Sequence, residues 1–206
     1  MEIIEFEHPI ARDFVTRLRS KYFQPSRFRA YSGRIGYLLA VEATRNLTTS
    51  PARVETPLEE TLGEVLSDNP VVMPVLRAGL GLLDPFMSIL PDSPVAFIGL
   101  RENGDSRVAE LLCQEEPNLA GSTVILLDPM VASGETAEKV LDYLYGRGVE
   151  HVILVSILAA PEGIARLKKY EELTLITATV DRELDQDWLI RPGLGDFADR
   201  LFRGGS

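Results

Sequence analysis

Residues 123–136 place an acidic side chain, hydroxyl groups and a glycine in an order that suits phosphate chemistry. Residues 123–127 form a continuous apolar run, typical of a strand that is covered on both faces of a parallel sheet. Asp128 follows this run, where its carboxylate could hold ribose hydroxyls or water on a metal ion. Ser133 and Thr136 then flank a helix start, whose free N–H groups can receive a phosphate. The alternative on this stretch alone is an ordinary strand-to-helix turn.

Strands that alternate with helices must position these groups. Apolar runs predict strands at 71–76, 95–100, 123–128, 151–159 and 174–180, with helices ending near 90 and spanning 135–147 and 161–170. This alternation predicts the α/β class, with a twisted parallel sheet and helices on both faces. Ligands of such sheets bind outside the carboxyl ends of the strands. Arg77, Arg101 and Asp128 all follow predicted strand ends, which favours phosphate binding over the ordinary turn.

The flanking segments lie outside this alternation. A short strand at 2–6, a helix at 10–22 and a second helix capped by Ser26 are expected, and His8 fits a turn better than a catalytic role. Residues 48–70 predict either a short helix after the capping box at 56–59 or an extended arm. The charged and irregular segment 101–121 predicts a mobile loop or a hairpin. The segment 185–206 predicts a shaped, packed loop, and the alternative for it is a loop that only covers the edge of the sheet.

Composition narrows the class of protein. The 206 residues carry a formal net charge of −10, which argues against coating nucleic acid, a role that needs a basic face. Apolar runs are too short to cross a bilayer, and the single cysteine, Cys113, suits a reducing compartment. We therefore expect a single cytoplasmic domain over 1–206, with no nucleic-acid or membrane partner.

Four motifs together resemble the uracil phosphoribosyltransferase family. They are Pro74-Val75-Leu76-Arg77-Ala78-Gly79-Leu80-Gly81, Asp128-Pro129-Met130-Val131-Ala132-Ser133-Gly134, Ala159-Ala160-Pro161-Glu162-Gly163 and Pro192-Gly193-Leu194-Gly195-Asp196. The resemblance runs nearly end to end in the same order. Pro129, in place of a second acidic residue, is typical of this family among related transferases.

The resemblance implies a type I phosphoribosyltransferase fold, with a core at about 70–182 and a hood from about 1–69 and 183–206. It implies pyrimidine salvage, in which uracil and 5-phospho-α-D-ribose 1-diphosphate (PRPP) give UMP and diphosphate with Mg²⁺. The metal is expected mainly through the substrate, with Asp196 as a protein contact. The family also implies a homo-oligomer, a dimer or larger.

The resemblance assigns roles to the matching positions. Arg77, Asp128 and Asp196 are the predicted catalytic residues, and Arg101 would add a second cation at the pyrophosphate. Ribose and 5′-phosphate would be held by Asp128, Pro129, Met130, Val131, Ala132, Ser133, Gly134, Glu135 and Thr136. Uracil would be read through backbone groups of Ile190, Gly195 and Phe197.

Departures from the family pattern leave alternatives open. Leu189 replaces a common tyrosine, with Trp188 as a candidate substitute, and Glu135 replaces a common glycine of the phosphate loop. One alternative is therefore a nucleotide-sensing regulatory protein that keeps the fold with weak or no turnover. Transfer to another base, such as a purine, is a further alternative.

Overall fold

A computed structural model describes residues 1–103, 106–112 and 117–202, without the side chains of 101–108 and 111. The strands are β1 (Glu2–Glu5), β2 (Thr49–Glu55), β3 (Glu60–Leu66), β4 (Val71–Pro74), β5 (Ile98–Asn103), β6 (Ser106–Leu111), β7 (Thr123–Leu127), β8 (Met130–Val131), β9 (His151–Ala159), β10 (Leu173–Val180), β11 (Glu183–Leu184) and β12 (Ile190–Arg191). The helices are α1 (Pro9–Arg19), α2 (Pro25–Ala43), α3 (Leu80–Ile89), α4 (Glu135–Gly146), α5 (Pro161–Leu167) and α6 (Phe197–Phe202).

The central sheet is parallel and has the order β1-β10-β9-β7-β4, with the short β8 also paired to β9. Successive side chains of a strand point to opposite faces, so an apolar run supplies both faces of the sheet at once. In β7, Ile125 and Leu127 pack on one face, whereas Val124 and Leu126 pack on the other. Helices α1, α2, α3 and α6 cover the first face, and α4 and α5 cover the second. This arrangement confirms the predicted α/β class.

The segment 49–66 is an antiparallel hairpin of β2 and β3, so the predicted short helix is wrong and the extended arm is confirmed. The Thr56 hydroxyl oxygen accepts the N–H groups of Leu58 and Glu59 at 3.1 and 3.0 Å. These bonds are those of a helix cap, but here they close the hairpin turn. Local capping chemistry serves a turn as well as a helix. The apolar residues that follow even have helical spacing, so it is the pairing of β2 with β3 that decides for the hairpin.

The strand predicted at 95–100 differs from the strand that forms. Isolated parallel bridges join Val95 to Val72 of β4 and Ile98 to Val75, just past β4. The assigned strand β5 runs from Ile98 to Asn103 and pairs with β6. Arg101 therefore lies within a hairpin strand rather than just past a strand end. The hairpin predicted as one form of 101–121 is confirmed for the described residues of β5 and β6.

The helix starts also differ in detail from the predictions. His8 is the N-cap of α1, where its Nδ1 accepts the Ile10 N–H at 3.2 Å, as expected of a turn residue. Helix α2 begins at Pro25 after Gln24, so Ser26 lies inside the first turn instead of capping it. Proline is favoured at this position because its fixed φ fits the helix and its missing N–H has no partner there.

Across the described residues, none of the helices combines the length and apolar character needed to cross a membrane.

Candidate active site

Two adjoining cavities open at the carboxyl ends of the central strands. The larger is a cleft of about 510 Å³ lined by both the β7 loop and the C-terminal segment 188–198. The smaller is a cradle of about 70 Å³ within the loop that joins β7 to α4. Asp128, Met130 and Ala132 line both cavities. A ligand with a small anionic end and a larger flat body could therefore occupy both at once.

Asp128 is the buried carboxylate at the junction of the two cavities. It follows the last residue of β7, and its N–H donates to Val155 of β9 at 3.1 Å, which fixes its backbone. Burial raises the pKa of the Asp128 carboxyl to about 7, although the hydrogen bond from the Met130 backbone lowers that pKa in part. The carboxylate is therefore held in a place that disfavours its charge until a polar ligand arrives.

The cradle is shaped by two glycines. Gly134 has a φ of +76°, and a Cβ atom there would lie 2.9 Å from the carbonyl oxygen of Gly163 at the start of α5. Gly163 in turn packs against the carbonyl oxygen of Ala132. The loop can therefore wrap closely around a small ligand and direct the first N–H groups of α4 into the cradle. Ser133, Thr136 and Ala137 complete the lining with Val131.

Arg77 lies in the turn between β4 and α3, next to Ala78, which lines the cleft. Its side chain is exposed, and within the described part of the chain its guanidinium makes no hydrogen bond or ion pair. Gly79 anchors this turn, because a Cβ atom there would collide with the backbone of Leu127 and Val75. The turn thus packs directly on β7, and Arg77 remains available for an anionic ligand.

The far wall of the cleft begins with a tight turn at 185–189. The Asp185 carboxylate accepts the N–H groups of Asp187 and Leu189 at 2.9 and 3.0 Å and also pairs with Arg191. The Leu189 backbone hydrogen bond is the largest of the effects that hold the pKa of Asp185 below its usual range. This turn presents Trp188 and Leu189 to the cleft with 63 % and 56 % of their surfaces exposed. Trp188 has a φ of +61°, which is unusual for a bulky residue.

The cleft continues along the segment that enters α6. Ile190 and Phe197 are buried and help to pack the segment, while Gly195, with a φ of +80°, and Asp196 are exposed at the cleft. One Asp196 oxygen, Oδ1, accepts the Asp199 N–H at 2.7 Å and so caps α6. Gly81 is also required here, because a Cβ atom there would lie 2.8 Å from the Phe197 ring.

The structure brings most of the predicted binding residues to one place. Met130, Val131, Ala132, Ser133, Gly134 and Thr136 line the cradle, and Ile190, Gly195, Asp196 and Phe197 line the cleft. Pro129 and Glu135 line neither cavity. The Pro129 carbonyl accepts the N–H groups of Ile157 and Leu158, and the Glu135 carboxylate pairs with Lys139 at 2.7 Å. The side chain of Arg101 lies outside the described part of the structure, so its role stays a prediction.

Sequence reasoning missed the side chains that hold the cleft wall from behind. Asp181 follows β10 as Asp128 follows β7, and this position after an apolar strand is a signal that could have identified it. Its partner Arg19 carries no local signal, because the two residues are 162 positions apart.

A similar fold is found in proteins of known structure. A hypoxanthine-guanine phosphoribosyltransferase from Bacillus anthracis superposes with a TM-score of 0.53 at 15 % identity, covering 76 % of this chain and 82 % of that one. At that identity the likeness concerns the fold, and the sheet, helices and cradle define a type I phosphoribosyltransferase fold.

Closer relatives share the sequence as well. The family model for uracil phosphoribosyltransferase matches residues 5–204. The chain is 39 % identical over 206 residues to the uracil phosphoribosyltransferase of Thermosipho africanus, covering 98 % of this chain and 99 % of that protein. The AQ2163 protein of Aquifex aeolicus superposes with a TM-score of 0.89 at 31 % identity, over 97 % of both chains. The chain belongs to the uracil phosphoribosyltransferase family.

Proposed function

We propose that the chain catalyses pyrimidine salvage, in which uracil reacts with PRPP to give UMP and diphosphate. The observation that carries this proposal is the continuity of the cradle and the cleft through Asp128. A 5′-phosphate fits the cradle, the ribose hydroxyls reach the Asp128 carboxylate, and the base occupies the wider cleft. Family membership over residues 5–204 supports the same reaction.

The site residues suit a reaction in which positive charge develops on the sugar and negative charge on the leaving group. Breaking the bond at the anomeric carbon needs no protein nucleophile, but the departing diphosphate needs stabilisation. Arg77 supplies an exposed guanidinium beside the cleft, and Arg forks bind phosphate oxygens well. The N1 atom of uracil then bonds to the anomeric carbon as the bond from that carbon to the diphosphate oxygen breaks, and the N1 proton passes to the departing diphosphate or to water.

The base side of the cleft combines apolar walls with backbone groups. Trp188, Leu189 and Phe197 exclude water from a flat ring, and backbone groups of Ile190, Gly195 and Phe197 read its polar edge. Such a site rejects cytosine, because the exchanged donor and acceptor leave buried polar groups unpaired.

Magnesium belongs to the proposal as a companion of PRPP. Among the described residues no group of three or more potential ligands surrounds one point. Asp128 and Asp196 nevertheless place two carboxylates on the same cleft, and Mg²⁺ is commonly held by one or two carboxylates together with substrate phosphates. Asp196 is the proposed protein contact, because only its Oδ1 atom is engaged by the α6 cap. When bound, the metal would neutralise charge on the leaving diphosphate.

The proposed function is tested by following diphosphate release with PRPP, Mg²⁺ and each nucleobase in turn. Uracil should support turnover, and cytosine or the purines should be slower by orders of magnitude. Release with a purine but not with uracil would favour transfer to another base. Tight binding of UMP without turnover would favour the regulatory alternative, which the exposed Arg77 and the intact cradle do not support.

We further propose that the chain forms a homodimer through the β2–β3 hairpin, and that residues 1–69 and 183–206 act as a hood over a core at 70–182. The hairpin carries Leu58, Leu62 and Val65 with 95 %, 71 % and 51 % of their surfaces exposed, which is typical of an interaction surface. Light scattering of Leu62→Asn/Val65→Asn should show a smaller species than the parent protein. An unchanged molar mass would reject the hairpin as the interface.

A further inference from the structure

The segment that forms the base side of the cleft is held from behind by side chains that do not line the cleft. Arg19, the last residue of α1, reaches the end of β10 and forms a two-armed pair with Asp181. The Asp181 side chain is 3 % exposed and the Arg19 side chain 24 %. Burying a charge pair to this extent costs desolvation free energy unless both groups make further hydrogen bonds. Here each of the two side chains has a further hydrogen-bond partner.

Those further partners are both backbone groups of Gly193. The Gly193 N–H donates to Asp181 Oδ2 at 2.9 Å, and its carbonyl oxygen accepts Arg19 Nη1 at 2.8 Å. Gly193 has a φ of +62° and directly follows the cis peptide bond between Arg191 and Pro192. One ion pair therefore holds both polar backbone groups of Gly193 and joins α1, the end of β10 and the C-terminal segment. We call this set the Arg19–Asp181 brace.

A second arginine extends the hold to the next residue. Arg200 Nη1 donates to the carbonyl oxygens of Leu194, at 2.6 Å, and Leu18, while Nη2 donates to Ser20 at 2.7 Å. Its guanidinium carbon also lies 4.3 Å from the centre of the Phe28 ring. Side-chain hydrogen bonds therefore hold backbone groups of Gly193 and Leu194. The next residues, Gly195 to Phe197, face the cleft.

We propose that the Arg19–Asp181 brace is a positioning device for the base-reading segment, and that it sets the affinity for uracil rather than for PRPP. This inference rests on the proposed function, since it assigns the base to that segment. Neither Arg19 nor Asp181 lines either cavity, so the brace acts on the cleft through the C-terminal segment that it holds at Gly193. Asp128 and the cradle lie in the loop that joins β7 to α4, and no brace side chain lines that cavity.

The test compares Arg19→Met with Arg17→Met. Arg17 lies on the same helix and pairs with Asp13 at 2.8 Å, but both side chains are 49 % exposed and neither contacts Gly193, so the control makes the same change of charge and size. Arg19→Met should raise the KM for uracil at least about tenfold, the scale on which small displacements of a binding group act. The Kd for PRPP should stay within about threefold for both variants when calorimetry is done without uracil and without Mg²⁺, so that the proposed metal contact of Asp196 does not contribute.

Two further measurements separate positioning from general destabilisation. Arg19→Lys keeps the charge but cannot span both Asp181 oxygens and Gly193, so its KM for uracil should be intermediate, and it carries the test if Arg19→Met does not fold. In both Arg19 variants, hydrogen–deuterium exchange should be faster than in the parent protein for peptides covering 190–197 and unchanged for the α4 peptide.

The outcomes are distinguishable. A KM for uracil within about threefold of the parent, equal losses for uracil and PRPP, or unchanged exchange at 190–197 would each overturn the brace. If the Arg19 variants exchange faster at 190–197 but the parent protein shows no uracil-dependent turnover, the brace remains the support of the segment and the proposed function is refuted.

Discussion

Asp128→Asn should make the ligand-free protein more stable at alkaline pH and lower its affinity for PRPP. The Asp128 carboxyl is buried where the cradle meets the cleft, and burial raises its pKa from the usual value of 3.8 to about 7. The folded protein therefore carries, near neutral pH, a carboxylate whose charge its own surroundings disfavour. Asparagine has nearly the same shape and no charge to desolvate.

The size of the effect follows from the two pKa values. Because the folded state has the higher pKa, it binds more protons than the unfolded state between about pH 4 and pH 7, and stability falls as pH rises through that window. The difference of about 3 units corresponds to roughly 4 kcal/mol in the free energy of unfolding when the window is crossed completely. Between about pH 5 and pH 8.5 the loss is about 3 kcal/mol.

Urea unfolding at about pH 5 and pH 8.5, at one protein concentration, measures this loss. The stability of Asp128→Asn relative to the parent should improve by about 3 kcal/mol from the lower to the higher pH, even though the buried amide group lowers its absolute stability by about 1–3 kcal/mol. Asp92→Asn, an exposed carboxylate in the loop after α3, is the matched control.

Refutation would come from a stability difference that is the same at both pH values to within about 0.5 kcal/mol. The same variant should bind PRPP at least about tenfold more weakly, because the amide offers one acceptor oxygen to two ribose hydroxyls where the carboxylate offers two. Equal affinities would mean that the cradle holds a different ligand.

Three further substitutions test separate parts of the site. Arg77→Ala should lower kcat/KM by about 10² in a diphosphate-release assay without changing the melting temperature, and a loss under about threefold would remove Arg77 from the reaction. Gly134→Ala should lower the free energy of unfolding by about 1–2 kcal/mol in urea and weaken PRPP binding in calorimetry, because the backbone has a φ of +76° and the added Cβ atom would lie 2.9 Å from the Gly163 carbonyl oxygen. Trp188→Gly should relieve the positive φ and raise stability by about 1 kcal/mol while raising the KM for uracil, so an unchanged KM would exclude Trp188 as part of the base wall.

Sequence reasoning captured the parts of the fold that local pattern determines. The apolar run before Asp128 predicted a strand covered on both faces, and its side chains do pack on both faces of the sheet. The small residues at 132–134 predicted a phosphate loop, and they permit the tight curvature of the cradle. The resemblance to a known family supplied the residues of the distant C-terminal wall, which no local pattern joins to the cradle.

The parts that sequence reasoning missed depend on contacts between distant segments. Thr56 makes cap-like hydrogen bonds in either a helix or a turn, so only the pairing of β2 with β3 decides between them. Arg19 and Asp181 look like ordinary surface charges until the fold brings α1 and β10 together around Gly193. Glu135 replaces a common glycine of the phosphate loop, and its pairing with Lys139 compensates part of the added charge.

A crystal structure of the protein with UMP tests the central claim most directly, because the product carries both the phosphate and the base. We predict that the phosphate lies in the cradle lined by Ser133, Gly134 and Thr136. The ribose hydroxyls should contact Asp128, and the uracil ring should lie between Trp188 and Phe197. UMP bound outside these two adjoining cavities, or with its base in the cradle and its phosphate toward Gly195, would contradict the proposal.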